Sequence, residues 1–399
     1  MSKEKWERIE FKYLKNCEVE IHDCSNFLLK NKNFNNEIEL INYKKIVFKN
    51  LNSWKIYTNK LVENLKKNKQ NILVIDTIGN FDNFGNSINL FLIYYHLKMK
   101  KIFLIKFYYP GIPLSYFLIR KREFFLKKIF KALYNLFLNP LFTLNKLNAY
   151  FFLFIGKILK FYPNIVFVAG NKFINRIKKQ NKKTIVVPIS TIDYSKILIK
   201  KRNKIKSIKY SNNYAVYISD RDYNMPPEEA LQDKTIKSKL SFYGWHKPLI
   251  NFFDNLEKKF NLKIIIAAHP KAIKKNNIKM FSPRRVFFDK TYKLIEHCKF
   301  VISLRSSAIN YAVIYKKPII FLTGKELTDS QNTSISLIAN HFNQTPFNIN
   351  LKFDRNKIDR CLDFKKKSFT KFKRDYISDL QNNRPNFEII NDKLSKIRI

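Results

Sequence analysis

The chain has 399 residues, 45% of them hydrophobic and 15% aromatic, enough for a substantial core and incompatible with a disordered polypeptide. Lysine and arginine number 76 against 31 aspartate and glutamate, and the resulting charge of +45 draws the protein toward phosphate-bearing substrates and anionic membrane faces. The seven glycines fall at 79, 85, 111, 156, 170, 244 and 324, positions that allow neither a GxxxxGK[ST] phosphate loop nor a GxGxxG fingerprint, which excludes P-loop and standard dinucleotide-binding chemistry.

The remaining composition narrows the field further. Lys, Asn, Ile and Phe dominate while Gly and Ala are sparse, the bias of AT-rich coding, so part of the charge is spread over ordinary solvated surface. No zinc finger, RNP-type motif or helix-turn-helix signature is present, and no nucleic-acid partner is expected. Cys17, Cys24, Cys298 and Cys361 are scattered; Cys17, His22 and Cys24 have the wrong spacing for a zinc set, so no metal is expected. The opening MSKEKWERIEFKY lacks the apolar stretch of a secretory signal, which points to a reduced, cytoplasmic location.

Along the chain, residues 1–70 are polar, with a short apolar stretch at Lys45–Phe48, and predict a strand-helix layer. Asn71–Asp76 (NILVID) reads as a buried parallel strand, followed by a loop with Gly79 and Gly85, a helix over Ser87–Met99 and a strand over Lys101–Phe107. Strand, loop, helix and strand in that order make a βαβ unit. Between Ile119 and Leu159 lies an aromatic and basic stretch with no apolar run long enough to span a bilayer. It reads either as core-packing helices or as an interfacial patch on an anionic membrane. Asn164–Ala169 and Thr184–Val187 predict further strands, and the basic stretch 196–213 reads as a linker.

A second α/β pattern starts at Tyr214. Strands are expected at Tyr214–Ser219, Lys263–Ala268, Phe300–Ser303 and Pro318–Leu322, with helices at His246–Phe260, Thr291–Cys298 and Ser306–Tyr315. The fold class is therefore α/β, two Rossmann-like domains facing a cleft: residues 1–200, residues 213–350, and a polar helical tail over 351–399.

The candidate chemistry lies mostly in the second half. Strand Lys263–Ala268 runs into His269, Pro270 and Lys271, and strand Phe300–Ser303 runs into Arg305, Ser306 and Ser307. Both sequences fall at the carboxyl edge of a parallel sheet, 37 residues apart with one helix expected between them. Two hydroxyls at a helix start, beside unpaired N–H groups, seat a phosphate without a glycine loop. A histidine beside them can donate to a departing phosphate. Taken singly, a Ser-Ser pair is an ordinary N-cap and a histidine after a strand an ordinary structural residue; the joint placement carries the reading.

These stretches, IIIAAHPKA and YKLIEHCKFVISLRSSAINYAVIYKKPIIFLT, resemble the nucleotide-sugar domain of bacterial surface-polysaccharide glycosyltransferases of GT-B architecture. The likeness is to the His-Pro and Ser-Ser motifs of bacterial sialyltransferases and Kdo transferases, over roughly Tyr214–Asn343. It implies that His269, Ser306 and Ser307 contact the donor phosphate, and it makes Glu296 the candidate for holding the donor ribose. The paired acidic-Gly motif that supplies the catalytic base in those families is absent here. A carboxylate on the first half must then take the acceptor's proton, with Asp82 preferred and Asp76 second.

The expected activity is an inverting, metal-independent transfer that builds a surface polysaccharide or lipid-linked glycan, with no cofactor besides a nucleotide-sugar donor. A CMP-activated acidic sugar is favoured, its single phosphate met by His269, the serines, Lys271 and Arg305. The Asp220-Arg221-Asp222 triplet after a strand would bind a divalent metal in a GT-A transferase, but it opens the second half rather than following a first one; Asp220 is placed at the donor edge instead. Pro188–Tyr194, after a strand in the first half, reads first as a simple strand-end turn and otherwise as a lining of the acceptor side. A UDP-sugar glycosyltransferase, a sugar-nucleotide epimerase and a non-catalytic peripheral membrane or nucleic-acid binding protein stand as alternatives.

Overall fold

The protein is seen here as a computed structural model that describes residues 18–28, 44–76, 87–109, 151–202 (except 153, 157 and 181), 213–219, 240–378 (except 270, 271, 273 and 289) and 384–396. Cys17, the loop carrying Asp82, the aromatic and basic stretch up to residue 150, Asp220, Pro270 and Lys271 lie outside these residues.

An N-terminal layer forms first. β1 (Glu20–Asp23) pairs in parallel with β2 (Lys44–Val47), and α1 (Ser25–Leu28) and α2 (Leu51–Lys67) pack beside them. Asn50 starts α2 with a capping box: its side chain accepts from the Ser53 amide, and Ser53 answers the Asn50 amide. Buried Trp54 of α2 donates to His22 Nδ1 at 3.1 Å while His22 Nε2 lies 2.7 Å from Glu20, so this histidine is absorbed by the layer's own packing.

The first sheet contains β3 (Leu73–Asp76), β4 (Phe103–Tyr108), β5 (Ile165–Ala169) and β6 (Ile185–Ile189), all parallel and in chain order. α3 (Ser87–Met99), helical residues between 151 and 158, and α4 (Asn171–Gln180) make the crossovers, and α5 (Ile192–Arg202) follows β6. α5 corrects the expected linker: Tyr194, Ile197 and Leu198 recur at helical spacing and enter the core, so the basic stretch is helical as far as Arg202.

The second sheet contains β7 (Tyr214–Ile218), β8 (Lys263–Ala268), β9 (Val286–Phe288), β10 (Val301–Ser303), β11 (Ile319–Thr323) and β12 (Phe347–Asn348). Its spatial order is β9-β8-β7-β10-β11-β12. Relative to the chain, that is the doubly wound order, with the direction of winding reversing between β7 and β10. α6 (Lys247–Phe260), α7 (Lys274–Phe281), α8 (Thr291–His297), α9 (Ile309–Ile314) and α10 (Asp329–Asn340) cover it. The architecture is thus α/β with two Rossmann-like halves. Two helices and β9 separate His269 from the serines, not one helix; β9 has three residues, too few to show a period.

The tail joins the halves. α11 (Arg355–Leu362) and α12 (Lys366–Phe372) bury Ile358, Cys361, Phe369 and Phe372 in the second core. A π-helical turn, Lys373–Ile377, then crosses the tips of β5 and β6, and α13 (Asn386–Leu394) sets Ile390 against Ile105, Ile165, Phe167 and Ile189 of the first sheet. Buried Asn386 fastens it: its Oδ1 accepts from the Ser190 amide at 2.9 Å, its Nδ2 donates to Ser190 O at 2.8 Å, and its own amide donates to Ser195 Oγ at 2.9 Å. Thr191 N donates to Ile377 O at 2.8 Å. Lys172 Nζ donates to the Tyr376 hydroxyl at 2.8 Å, which in turn shares a hydrogen bond of 3.1 Å with His341 Nε2.

Two expectations follow from this joint. Gly170 has φ +79°, and a Cβ there would stand 2.6 Å from Asp375 O and 2.7 Å from Tyr376 Cα, both backbone atoms. Gly170→Ala should cost at least about 2 kcal/mol in urea unfolding, whereas Gly156→Ala, with nothing nearer than 3.6 Å, should stay close to wild type. Burial, helped by the Lys172 charge, lowers the His341 pKa to about 4. The unfolded chain therefore takes up a proton near pH 6.5 that the folded chain refuses until about 4. Melting temperature should fall as pH drops through that window, and His341→Asn should flatten the slope.

Candidate functional site

The reversal between β7 and β10 fixes where a ligand fits. Helices leaving these neighbouring strands go to opposite faces of the sheet, so a crevice opens at their carboxyl tips. The β10 side of it is Leu304, Arg305, Ser306 and Ser307; the β7 side is Ser219, whose amide donates to Ala267 O at 3.0 Å. His269 follows β8 directly and is half-buried.

The serines do not open a long helix as expected. α9 begins at Ile309, and Ser306–Ala308 form a tight turn in which Ile309 and Asn310 donate to the carbonyls of Ser306 and Ser307. Ala308 N donates to Ser306 Oγ at 3.3 Å, a bond that does not use the hydroxyl's own hydrogen. With six residues, α9 contributes little dipole, so an anion held here would depend on the turn's own hydroxyls and amides. Ser306 is half-buried and Ser307 exposed.

His269 and the serine turn stand on strands either side of β7, not on adjoining ones. Strand spacing puts their backbones about 10 Å apart. They flank the β7 tip and would reach an anion lying across it from opposite sides.

Glu296 does not join this group. It lies in the last turn of α8, which runs from the carboxyl edge of the sheet back to the amino edge, and its carboxylate pairs with Lys200 of α5 at 2.5 Å. It ties the halves together away from the strand tips. Asp76, at the tip of β3, is buried, receives a hydrogen bond from the Tyr94 hydroxyl and pairs with Lys106 at 3.1 Å. Burial and that carboxylate hold the Tyr94 hydroxyl well above its usual range, so it stays a donor. β3 is an edge strand three positions from β6, about 14 Å by strand spacing, which sets Asp76 apart from the joint between the halves.

Another carboxylate reaches the helix that follows the serine turn. Asp193, in the first turn of α5, accepts from Asn310 Nδ2 at 3.4 Å, and Asn310 is the residue whose amide holds Ser307 O at 3.1 Å. Asn310 is fully buried; its Oδ1 and the neighbouring Ser303 Oγ have no hydrogen-bond partner among the described residues. Buried polar atoms left this way mark a polar site rather than plain core. The sequence signal was present: an acidic residue just past the last strand of the first half. Only the packing of α5 against α9 shows what it faces.

A surface cavity of about 350 Å³ lies elsewhere, at the β12 edge, lined by Phe252, Asn255, Phe347, Asn350 and Lys352 among others.

No known family and no curated protein matches the sequence. Among solved structures, the chain is similar to the UDP-GlcNAc 2-epimerase from Methanocaldococcus jannaschii at 13% identity, TM-score 0.41, over 88% of this chain and 85% of that one. It is also similar to Arabidopsis thaliana UGT89C1 complexed with UDP-L-rhamnose, at 9% identity and TM-score 0.47 over 98% and 94%. A third is Os79 from O. sativa, at 9% identity and TM-score 0.45 over 96% and 95%. None reaches a TM-score of 0.5, so the architecture rests on the strand order above.

The site geometry makes a direct expectation about anions. Pyrophosphate should raise the melting temperature of the wild-type chain by mass action, and the double change Ser306→Ala, Ser307→Ala should abolish most of that shift. An undiminished shift in the double variant would move the anion elsewhere.

Proposed function

We propose that the chain is a glycosyltransferase that takes a nucleotide-activated sugar at the crevice between β7 and β10. The observation behind the reading is the meeting, at one switch point, of the Ser306–Ser307 turn and the tip of β7, with His269 on the next strand and a first-half carboxylate bonded to Asn310 of the helix after the turn.

In this mechanism the acceptor hydroxyl attacks the anomeric carbon as the bond from that carbon to the phosphate oxygen breaks. The nucleotide leaves with the bonding electrons, the acceptor proton passes to a carboxylate, and the anomeric configuration inverts. Ser306, Ser307 and His269 donate to the departing phosphate, with Lys271 and Arg305 adding positive charge and Asp220 at the donor edge. That supply of donors and cations is why a metal-independent reaction is proposed. For the base, the candidates are Asp82, from the loop after β3, and Asp193, whose hydrogen bond to Asn310 supports the choice.

A CMP-activated acidic sugar is the proposed donor, following the sequence resemblance; UDP-sugars, named with two of the similar structures above, are the alternative the experiment must separate. The proposed acceptor is a surface or lipid-linked glycan.

Purified protein screened for thermal stabilisation by CMP, UDP, GDP and CDP should respond most to CMP; a response to UDP alone would replace the donor and keep the site. His269→Ala should lower kcat about 100-fold or more with the fold intact, measured as release of free nucleotide in the presence of acceptor. Unchanged turnover in that variant, or conversion of nucleotide-sugar with no acceptor present, would overturn the transferase reading, the second in favour of an epimerase.

A further inference from the structure

The first half carries a surface that neither the core nor the crevice uses. α3 and the helical residues between 151 and 158 lie side by side: the Phe91 and Phe152 rings meet at a tilt of 40° with centroids 5.1 Å apart, and Lys98 Nζ reaches Leu159 O. Both pairs are 61 residues apart, so the two helices run parallel and in step. Phe161, just past the second helix, closes the seam on Phe91 at 5.3 Å and Tyr95 at 6.3 Å.

Each helix turns an apolar stripe to solvent. On α3 it is Ile88, Tyr95 and Met99, spaced 7 and 4 residues apart and therefore in line on one face; Met99 is 63% exposed. On its neighbour it is Phe151, Phe154 and Ile158, again at helical spacing, with Phe154 63% and Ile158 61% exposed. At the constant offset of 61, Phe154 is level with Ile93 and Ile158 with Leu97, so each lies two residues, about 3 Å along the axis, from Tyr95 and Met99. Scattered exposed apolar side chains need no explanation, but two matched stripes on adjacent helices form a contiguous patch.

The border of the patch is basic. Lys98, Lys101 and Lys160 are exposed and Lys100 is half-buried at the end where both stripes finish. The exposed Lys182 and Lys183 precede β6 on the same amino edge of the sheet, next to exposed Ile185 and Tyr162. Neither α3 nor residues 151–164 contains an aspartate or glutamate. Macrodipole complementarity accounts for lysines in a helix's last turn, but not for bulky aromatic and aliphatic side chains left in water beside them.

We infer that this face docks on an anionic lipid bilayer, with Phe151, Phe154, Ile158, Tyr95 and Met99 entering the headgroup boundary and the lysine border meeting lipid phosphates. A second copy is a poor occupant, because self-pairing sets lysines against lysines. Nucleic acid would leave the apolar stripes facing phosphates. No helix among the described residues is long and apolar enough to cross a membrane, so the contact is a surface one. The inference stands on this surface alone and is independent of the donor reading.

Flotation of the full chain with vesicles tests it. The wild type should float with phosphatidylcholine vesicles containing about one third phosphatidylglycerol and much less with phosphatidylcholine alone. The double variant Phe154→Glu, Ile158→Glu should lower partitioning about tenfold or more, since it removes apolar insertion and adds like charge, with an unchanged melting temperature because both sites are exposed. Lys101→Glu with Lys160→Glu should weaken binding and reduce its salt dependence. A control pair of equal charge on the second half, Lys258→Glu with Lys279→Glu, should bind as wild type. Failure of the wild type to bind, full binding by the Phe154 and Ile158 variant, or equal loss in the control pair would each overturn the proposal.

Discussion

A parallel sheet needs cover on both faces, and the first sheet cannot supply its own. Its four described strands run in chain order, and right-handed crossovers between successive parallel strands carry all their helices to one face. The other face, with Ile105, Ile165, Phe167 and Ile189, is closed by α13 from the far end of the chain. Asn386 makes that return specific, because it satisfies both backbone groups of buried Ser190 at the tip of β6. Much of the rest hangs from this clamp. The tail fixes the end of β6, β6 fixes the start of α5, and α5 carries Asp193 to Asn310 and Lys200 to Glu296 across the joint.

The second sheet faces the opposite situation. Its doubly wound order lets its own crossovers cover both faces, and the reversal that achieves this leaves a gap at the carboxyl tips of β7 and β10. The same topological fact therefore solves a burial problem and sets the place where ligands bind in open sheets of this kind. The groups at its rim are suited to an anion by type: hydroxyls, an imidazole and cationic side chains, with buried Asn310 holding the serine turn from behind. The contrast with Asp76 is instructive. That carboxylate also ends a strand, but Tyr94 and Lys106 consume it within the first half.

The net charge of +45 takes on meaning only when it is mapped. Much of it lies on ordinary surface or in pairs such as Lys259 with Asp359 and Arg284 with Asp254 and Glu257. At the amino edge of the first sheet lysines sit near exposed aromatic side chains, and neither α3 nor residues 151–164 contains an acidic residue.

By itself the sequence determined the fold class and most of the elements, because these depend on local period and on end signals. Ser87–Met99 as a helix and Lys263–Ala268 as a strand agree with the structure residue for residue. It also singled out His269 and the Ser306–Ser307 pair, since a strand's end is legible from its apolar run. It did not determine strand order, and so could not show that β7 stands between those two motifs, that Glu296 lies a helix length from the serines, or that the polar tail roofs the first sheet. Those facts depend on contacts between residues such as Ser190 and Asn386, 196 positions apart. No local pattern encodes a pairing at that separation; only the requirement that both halves bury their apolar faces together selects it.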